Sequence, residues 1–279
     1  MNAMATRPSL SDIRVLVRGA GEQATGIAHR LHRVGLAVAL CELPEPIAVR
    51  RAVSFCEAVW DGCCTVEGVT ARRVDGPEEF DAVIRRGEVP VLPAPELLCA
   101  LAWRPQVLID ATIAKRNLGT RRGMAGLVIG FGPGFTAGED VDVVVETNRG
   151  HDLGRLHFQG SAQPNTGRPE STLGYSLERV LRTPRGGVFE ALAEIGQPVR
   201  AGACVARVEG QAITTQIGGV VRGLLRPGLR VTAGLKAGDV DPRGEPRLCF
   251  TISDKARALG GSALEAILLW LRGRPARPL

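Results

Sequence analysis

Three polar segments carry residue types from which a site for an anionic ligand can be built. The first, Gly19-Ala20-Gly21-Glu22-Gln23-Ala24, is a G-x-G-x-x-A string. Glycines at that spacing permit a tight turn and let a phosphate approach the backbone N–H groups that open a helix. Glu42, roughly 20 residues on, is the residue type that accepts from a ribose hydroxyl in a dinucleotide fold. Gly19, Gly21, Ala24 and Glu42 are therefore candidates for binding a nucleotide, NAD(P) or another. Arg18 before the glycines and Pro44 and Pro46 after Glu42 depart from the usual pattern. A glycine turn that only packs helix on strand is the alternative.

The other two segments follow strand candidates. Lys115-Arg116-Asn117 comes after the run ending at Asp110, and Glu146-Thr147-Asn148-Arg149-Gly150-His151 after the run ending at Val145. Between them lies the glycine-rich Gly130-Phe131-Gly132-Pro133-Gly134-Phe135. Open α/β sheets bind ligands beyond the carboxyl ends of their strands, so these loops are expected to converge with the Gly19 loop on one rim. There Gly130, Gly132 and Gly134 would present N–H groups to an oxyanion, with Arg116 and Arg149 as charge partners. Lys115, Asn117, Glu146, Arg149 and His151 are the candidate catalytic residues. The plainer alternative is that each loop is an ordinary connection, with Glu146 and Arg149 paired.

Positioning these loops falls to a fold read as α/β, a Rossmann-like, mostly parallel sheet. Arg14 to Arg18 reads as a strand. Ala24, Ile27, Ala28, Leu31 and Val34 then fall at helical spacing, with His29 and His32 on the remaining faces as exposed or packing residues. Ala37 to Cys41 is the next strand, and Val49 to Val59 an amphipathic helix. Pro77, Glu78, Glu79, Arg85, Arg86 and Gly87 bound a short helix at both ends. Strands at Val89 to Leu92, Val107 to Asp110, Leu127 to Ile129 and Val141 to Val145, and a helix from Pro95 to Trp103, continue the alternation.

After Pro184 the pattern changes to short β runs punctuated by glycine, so a separate all-β unit is expected over 186–242, after a Rossmann-like nucleotide-binding domain over 11–185 and a disordered tail over 1–10. Within it Gly196-Gln197-Pro198-Val199-Arg200-Ala201-Gly202 is echoed by Gly228-Leu229-Arg230-Val231-Thr232-Ala233-Gly234, a repeated G-x-x-V-x-x-G. The repeat resembles the two halves of a biotinyl or lipoyl carrier domain, a barrel-sandwich with a pseudo-twofold axis. Such carriers bear a modifiable lysine at a hairpin tip, here near Val208-Glu209-Gly210-Gln211-Ala212, where no lysine stands. Covalent biotin or lipoate is therefore not expected. The remainder, 243–279, reads as a strand (Leu248 to Ile252) and a helix (Ser262 to Leu271) opened by a Ser262-x-x-Glu265 capping box. That helix is apolar on nearly every face, so either burial or a homo-oligomer interface is expected of it.

Bulk properties narrow the function class. The net charge is +6, but aromatic content is 4% and the arginines are scattered, without a stripe to track a phosphate backbone, so nucleic acid is not an expected partner. The seven cysteines form no C-x-x-C pair and no cluster of the kind that ligates iron–sulfur centres, and no histidine spacing suggests a metal site. No apolar run reaches the length of a membrane span, and Met1 to Ser11 has no apolar leader core, so a cytoplasmic protein is expected. Of 35 basic residues only Lys115, Lys236 and Lys255 are lysine. A chain so biased toward arginine can reserve lysine for places that need a compact, deprotonatable ammonium.

Several strings taken together resemble one family. They are Val17-Arg18-Gly19-Ala20-Gly21, Arg50-Arg51-Ala52-Val53-Ser54-Phe55, Ala114-Lys115-Arg116-Asn117-Leu118-Gly119, Gly132-Pro133-Gly134-Phe135, Glu146 to His151, Asn165-Thr166-Gly167, Gly238-Asp239-Val240-Asp241-Pro242-Arg243 and Ile252-Ser253-Asp254-Lys255-Ala256-Arg257. They are similar to the selenium-dependent molybdenum hydroxylase system proteins, accessory factors found beside hydroxylases of the xanthine dehydrogenase type. The resemblance runs from about Arg14 to Leu271. It implies a maturation factor whose client ligand is the molybdenum cofactor and whose partners are the hydroxylase or its other maturation factors. Two rival readings stay open: an NAD(P)-dependent oxidoreductase of a small metabolite, and a non-catalytic scaffold.

Overall fold

Val15, Leu16 and Val17 are completely buried, and their side chains alternate between the two faces of a sheet that is covered on both sides. In the computed structural model, which describes residues 9–94, 96–167 and 170–273, they belong to β1 (Arg14–Arg18). From β1 the chain passes through α1 (Glu22–Arg33) to β2 (Ala37–Glu42). A 3-10 turn (Arg51–Val53) and the short α2 (Glu57–Asp61) lead to a hairpin of β3 (Cys63–Val66) and β4 (Val69–Arg73). Next come α3 (Phe80–Arg85), β5 (Val89–Pro93), α4 (Leu97–Leu101), β6 (Val107–Asp110) and β7 (Leu127–Phe131). The small strands β8 (Thr136–Ala137), β9 (Val143–Val145), β10 (Leu156–His157) and β11 (Gly160–Ser161) complete this part.

The nine-stranded sheet has the order β10-β9-β7-β6-β1-β2-β5-β4-β3 and is parallel except at its edge pairs β10/β9 and β3/β4. The chain thus builds outward from β1 to β2 and then resumes at β6 on β1's other side. α1 and the long C-terminal helix cover one face, where Ile27, Leu31, Leu259, Ala263 and Ile267 are buried. Phe80, Val83, Leu97, Ala100 and Trp103 cover the other.

The second unit begins with β12 (Val180–Arg182), ahead of Pro184 and of the expected boundary. It continues through β13 (Gly187–Ala191), β14 (Pro198–Val199), β15 (Cys204–Val208), β16 (Gln211–Thr214), β17 (Gly219–Leu224), β18 (Arg230–Val231) and β19 (Lys236–Asp241). Its two sheets have the orders β12-β19-β17-β14 and β16-β15-β13-β18, and their inner faces share one apolar core. Advancing every strand by half the unit converts the first order into the second. The two G-x-x-V-x-x-G copies hold β14 and β18, which this operation interchanges.

The C-terminal segment differs from the sequence expectation. Residues Pro246–Cys249 form a 3-10 turn rather than a strand, and α5 runs from Asp254 to Leu271. Its N-cap is Ser253, whose Oγ accepts from the Ala256 N–H. Ser262 is not a cap but lies mid-helix, donating to the Gly154 and Ala258 carbonyls. The reason is packing: a Cβ at Gly26 would lie 2.6 Å from Ala256 Cβ, and one at Gly260 would lie 2.8 Å from the Gly26 carbonyl oxygen. Glycine there lets α1 and α5 touch backbone to backbone, which offsets its low helix propensity. The Val49 to Val59 helix is likewise replaced by the 3-10 turn and α2, and the α4 helix is shorter than expected, with Pro95 outside the described residues. No helix among the described residues is long and apolar enough to cross a membrane.

Candidate ligand-binding site

At the carboxyl ends of β1, β2 and β6 the sheet opens into a cavity of about 710 Å³. Its floor is the turn from β1 to α1. Gly19 adopts φ +98°, a left-handed value that favours glycine, and a Cβ there would lie 3.2 Å from the Ala111 carbonyl oxygen. Gly21 differs: its φ is −68°, and a Cβ would meet nothing within 4 Å. Neither backbone conformation nor packing calls for glycine at that wall of the cavity. Ala24 is buried beneath the turn in the helix–sheet core and does not reach the opening.

Glu42 lines the cavity with its carboxylate already engaged. Its Oε2 accepts from the Ala20 N–H at 2.7 Å and its Oε1 from the Leu43 N–H at 2.7 Å, so it braces the glycine turn. Burial pushes its carboxyl above the usual range, and those two N–H groups act against the shift. Opposite it, register places Arg18 beside Asp110 across β1 and β6. Asp110 is fully buried and accepts from Arg18, Thr120 Oγ1, Thr112 N and Thr112 Oγ1. Arg18 donates also to Thr120 Oγ1 and the Leu118 carbonyl. The lips are apolar, with Leu43, Ile47 and Leu118 exposed at the opening.

On the side facing the β unit, Glu22, Gln23 and Arg50 line the cavity, and each carries a buried polar atom with no hydrogen-bond partner: Glu22 Oε1, Gln23 Oε1 and Arg50 Nε. Arg50 Nε lies 3.5 Å from Glu22 Oε1. The rest of the Arg50 guanidinium is committed to the carbonyls of Arg222, Leu248, Cys249 and Thr251. Lys236, at the start of β19, also lines the cavity.

The predicted loops follow the carboxyl ends of the neighbouring parallel strands β1, β6, β7 and β9, and the glycine-rich loop packs against both the 114–116 loop and Thr147, but of these loops the cavity wall takes residues only from the Gly19 loop and the 114–118 loop. Lys115 and Arg116 are exposed and lie outside the cavity wall, which takes Ala114 and Leu118 from their loop. Asn117 organises that loop, accepting from the Gly119 and Thr120 N–H groups and donating to the Thr120 carbonyl. The glycine-rich loop is packed tightly: a Cβ at Gly130 would meet the Phe135 ring, one at Gly132 Thr147 Oγ1, and one at Gly134 the Ala114 carbonyl. None of the three lines the cavity.

Glu146 is 1% exposed, against the expectation of an exposed rim carboxylate. Its Oε1 accepts from the Asn148 N–H and its Oε2 from the Gln163 N–H, both at 2.7 Å. It is not paired with Arg149, which forks onto Asp254 at 2.6 and 2.8 Å and reaches Glu170 at 2.8 Å. His151 is exposed. Arg149 and Glu146 lie near Lys255 at the start of α5. Burial lowers the Lys255 ammonium pKa and the Arg149 charge adds to that, while Glu22, Glu146 and Glu170 act the other way. His29, expected on an exposed or packing face, is buried with Nε2 3.3 Å from the Glu67 carbonyl. No group of three His, Cys, Asp or Glu side chains among the described residues is placed to hold a metal ion.

Sequence reasoning missed Arg18, Asp110, Glu22, Arg50 and Lys236 as cavity residues or their supports. Arg18 and Asp110 each end a strand beside the glycine turn, which was the available signal. The others depend on how the β unit docks.

No family model matches the chain. The uncharacterized protein YqeB of Escherichia coli (strain K12) is 45% identical over 255 residues, 91% of this chain and 47% of that protein. The chain spans about half the length of that relative. Among solved structures, TcdA (CsdL) is similar with a TM-score of 0.34 and 12% identity, over 94% of this chain and 89% of that one. An aspartoacylase family protein from Mesorhizobium loti gives a TM-score of 0.27 and 12% identity, over 82% and 84%. Likenesses this distant define neither the fold nor the chemistry of this chain.

Proposed function

We propose that this chain is an accessory factor in the maturation of a molybdenum-containing hydroxylase of the xanthine dehydrogenase type, and that its cavity binds a nucleotide or the phosphorylated pterin cofactor of that client. The observation that carries the binding half is Gly21. Gly21 is the N-cap of α1, with ordinary φ and open space on the cavity side where a Cβ would stand, so the N–H groups at the start of α1 are left uncovered for an approaching phosphate. The cavity volume lies within the roughly 300–1,000 Å³ of small-molecule sites. With the inserted β3–β4 hairpin left out, the parallel strands β5-β2-β1-β6-β7-β9, numbered among themselves, run 3-2-1-4-5-6, the order of doubly wound dinucleotide-binding folds, and the cavity sits at their switch point. The Glu22 and Gln23 oxygens that accept no hydrogen bond suit a ligand that brings hydroxyl or amino donors. The maturation half rests on the resemblance of the strings from Val17 to Arg257 to the molybdenum hydroxylase system proteins.

The strand order and half-unit symmetry of the second unit support its reading as a biotinyl/lipoyl-like module. Its β15–β16 hairpin turns at Glu209-Gly210 and offers no lysine to modify, so the module serves as a structural or partner-binding element.

Calorimetry with adenine and guanine nucleotides, on the wild type and Gly21→Val, tests the cavity. Binding that Gly21→Val abolishes, with a melting temperature lowered by no more than the modest cost of valine at an N-cap, is the expected result. Deleting the gene and purifying the neighbouring hydroxylase tests the process. The hydroxylase is expected to accumulate with missing or wrongly ligated molybdenum, and fully active hydroxylase from the deletion strain would refute the assignment.

A further inference from the structure

The cavity is walled by one side chain from outside the sheet unit. Lys236 stands at the head of β19, and β19 pairs with β17, the strand that abuts the Val49–Arg51 segment. Leu224 N–H donates to the Val49 carbonyl, Arg51 Nε donates to the Leu224 carbonyl, and Gly223 lies so close to Val49 that a Cβ would stand 2.7 Å from its side chain. Leu225 N–H then donates to the carbonyl of Ala237, the residue after Lys236. This short chain of backbone contacts fixes Lys236 relative to the cavity.

The other cations on the wall are already engaged. Arg18 is bonded to Asp110, Thr120 and Leu118, and Arg50 to four carbonyls, with Glu22 beside its Nε. Lys236 has neither an ion pair nor a side-chain hydrogen bond among the described residues. It is a lysine in a chain that otherwise uses arginine almost throughout. An anionic group entering the cavity therefore meets one uncommitted cation, on a flexible stem that can follow a phosphate without the fixed fork of a guanidinium.

We propose that the site is composite: the β unit supplies Lys236 as the partner of the ligand's phosphate, while the sheet unit supplies the glycine turn and the apolar lips that receive its heterocycle. This rests on the reading of the cavity as a site for a phosphorylated heterocycle, and it adds which residue holds the charge and that both units take part. A nucleotide and a pterin phosphate share that chemistry, and the ligands used in the test tell them apart.

The experiment is isothermal titration of the full chain with ADP, GDP, adenosine, guanosine and neopterin monophosphate at low and high salt, on the wild type, Lys236→Ala and Lys236→Arg. Loss of one charge-assisted contact at a partly solvated site is expected to weaken the phosphorylated ligand that binds by about tenfold in Lys236→Ala. The salt dependence should fall with it. Lys236→Arg should retain most of the affinity, and the unphosphorylated nucleoside should bind all three proteins alike. Equal melting temperatures would show that the exposed side chain does not act through folding. Tight phosphate-ligand binding by the wild type that Lys236→Ala leaves unchanged would overturn the composite site and leave the cavity reading standing. Absence of binding by the wild type to every probe would overturn both.

Discussion

Replacing Glu146 is expected to destabilise the fold rather than silence a catalyst. The carboxylate is 1% exposed and accepts two backbone N–H groups at 2.7 Å, one from Asn148 and one from Gln163. It thereby ties the turn after β9 to the segment after β11. Hydrogen bonds to a charged acceptor contribute about 1.5–3 kcal/mol each. Both donors are only part-buried, so water recovers some of the loss, and Glu146→Ala is expected to cost about 3–4 kcal/mol. At roughly 2–4 °C per kcal/mol for a chain of this size, the melting temperature should fall by about 6–16 °C. Glu146→Gln keeps one accepting oxygen but turns an amide donor toward the other N–H, so about half the loss is expected. The assay is thermal and urea unfolding of both variants beside Lys115→Ala, an exposed control expected to stay within about 0.5 kcal/mol of wild type. A Glu146→Ala protein with wild-type stability that fails in the cell would refute this reasoning and restore a chemical role to the carboxylate.

Gly26→Val is expected to destabilise by roughly 2–3 kcal/mol in urea unfolding, because the new side chain enters a contact where even Cβ would lie 2.6 Å from Ala256 Cβ. Asp254 should titrate near pH 2 by carboxyl NMR, held down chiefly by its hydrogen bonds from Arg149; its folded value is depressed, so its stabilising share is full above the ordinary carboxylate range and fades as pH falls through about 2. Arg149→Ala should return that midpoint toward the usual value. Lys255 has a lowered value, so its charged form disfavours folding at neutral pH, and Lys255→Met should raise the melting temperature at pH 7. That gain should vanish as pH rises through the folded lysine value toward the ordinary one near 10.5.

Signals confined to a few neighbouring residues were legible in the sequence. Val15 to Gly21 spell a buried strand, a left-handed glycine and a helix start, and the two G-x-x-V-x-x-G strings occupy matching places in the β unit. The β3–β4 hairpin was also legible in principle, since Glu67-Gly68 is a two-residue turn with positive φ at both positions between β-branched runs. What escaped were residues whose role is set by distant partners. Gly260 and Gly261 look like a helix break, and Ser262-x-x-Glu265 imitates a cap, because the sequence does not disclose that Gly26 waits across the interface. Glu146 stands beyond a strand end as a catalytic acid would, and only the return of the chain at Gln163 shows what its second oxygen does. The glycine-rich 130–134 loop has the composition of an anion cradle, but Phe135, Thr147 and Ala114 stand where its side chains would be, so close packing accounts for its glycines.

The abundance of arginine has a structural cause at the seam between the two units. Arg50 satisfies four carbonyls from the β unit and the turn that follows it, a task for a planar group with five N–H donors that an ammonium with three cannot perform. Arg226 forks onto Asp61, reaches Glu57 and stacks over the Trp60 ring, with its centre 5.6 Å from the ring centroid. Within the β unit Arg222 lies beside Asp239 and Asp241, at 3.7 and 3.8 Å, and across the seam it lies 3.9 Å from Glu22, a buried pair that gains little from attraction alone after desolvation. The effect of that seam pair is on geometry, because sliding one unit against the other would leave Glu22 and Arg222 buried without each other. A seam that resists sliding holds β19 where it is, and with it the lysine at the cavity wall. The arginines are thus the reason a lysine from one unit can act in a site built by the other.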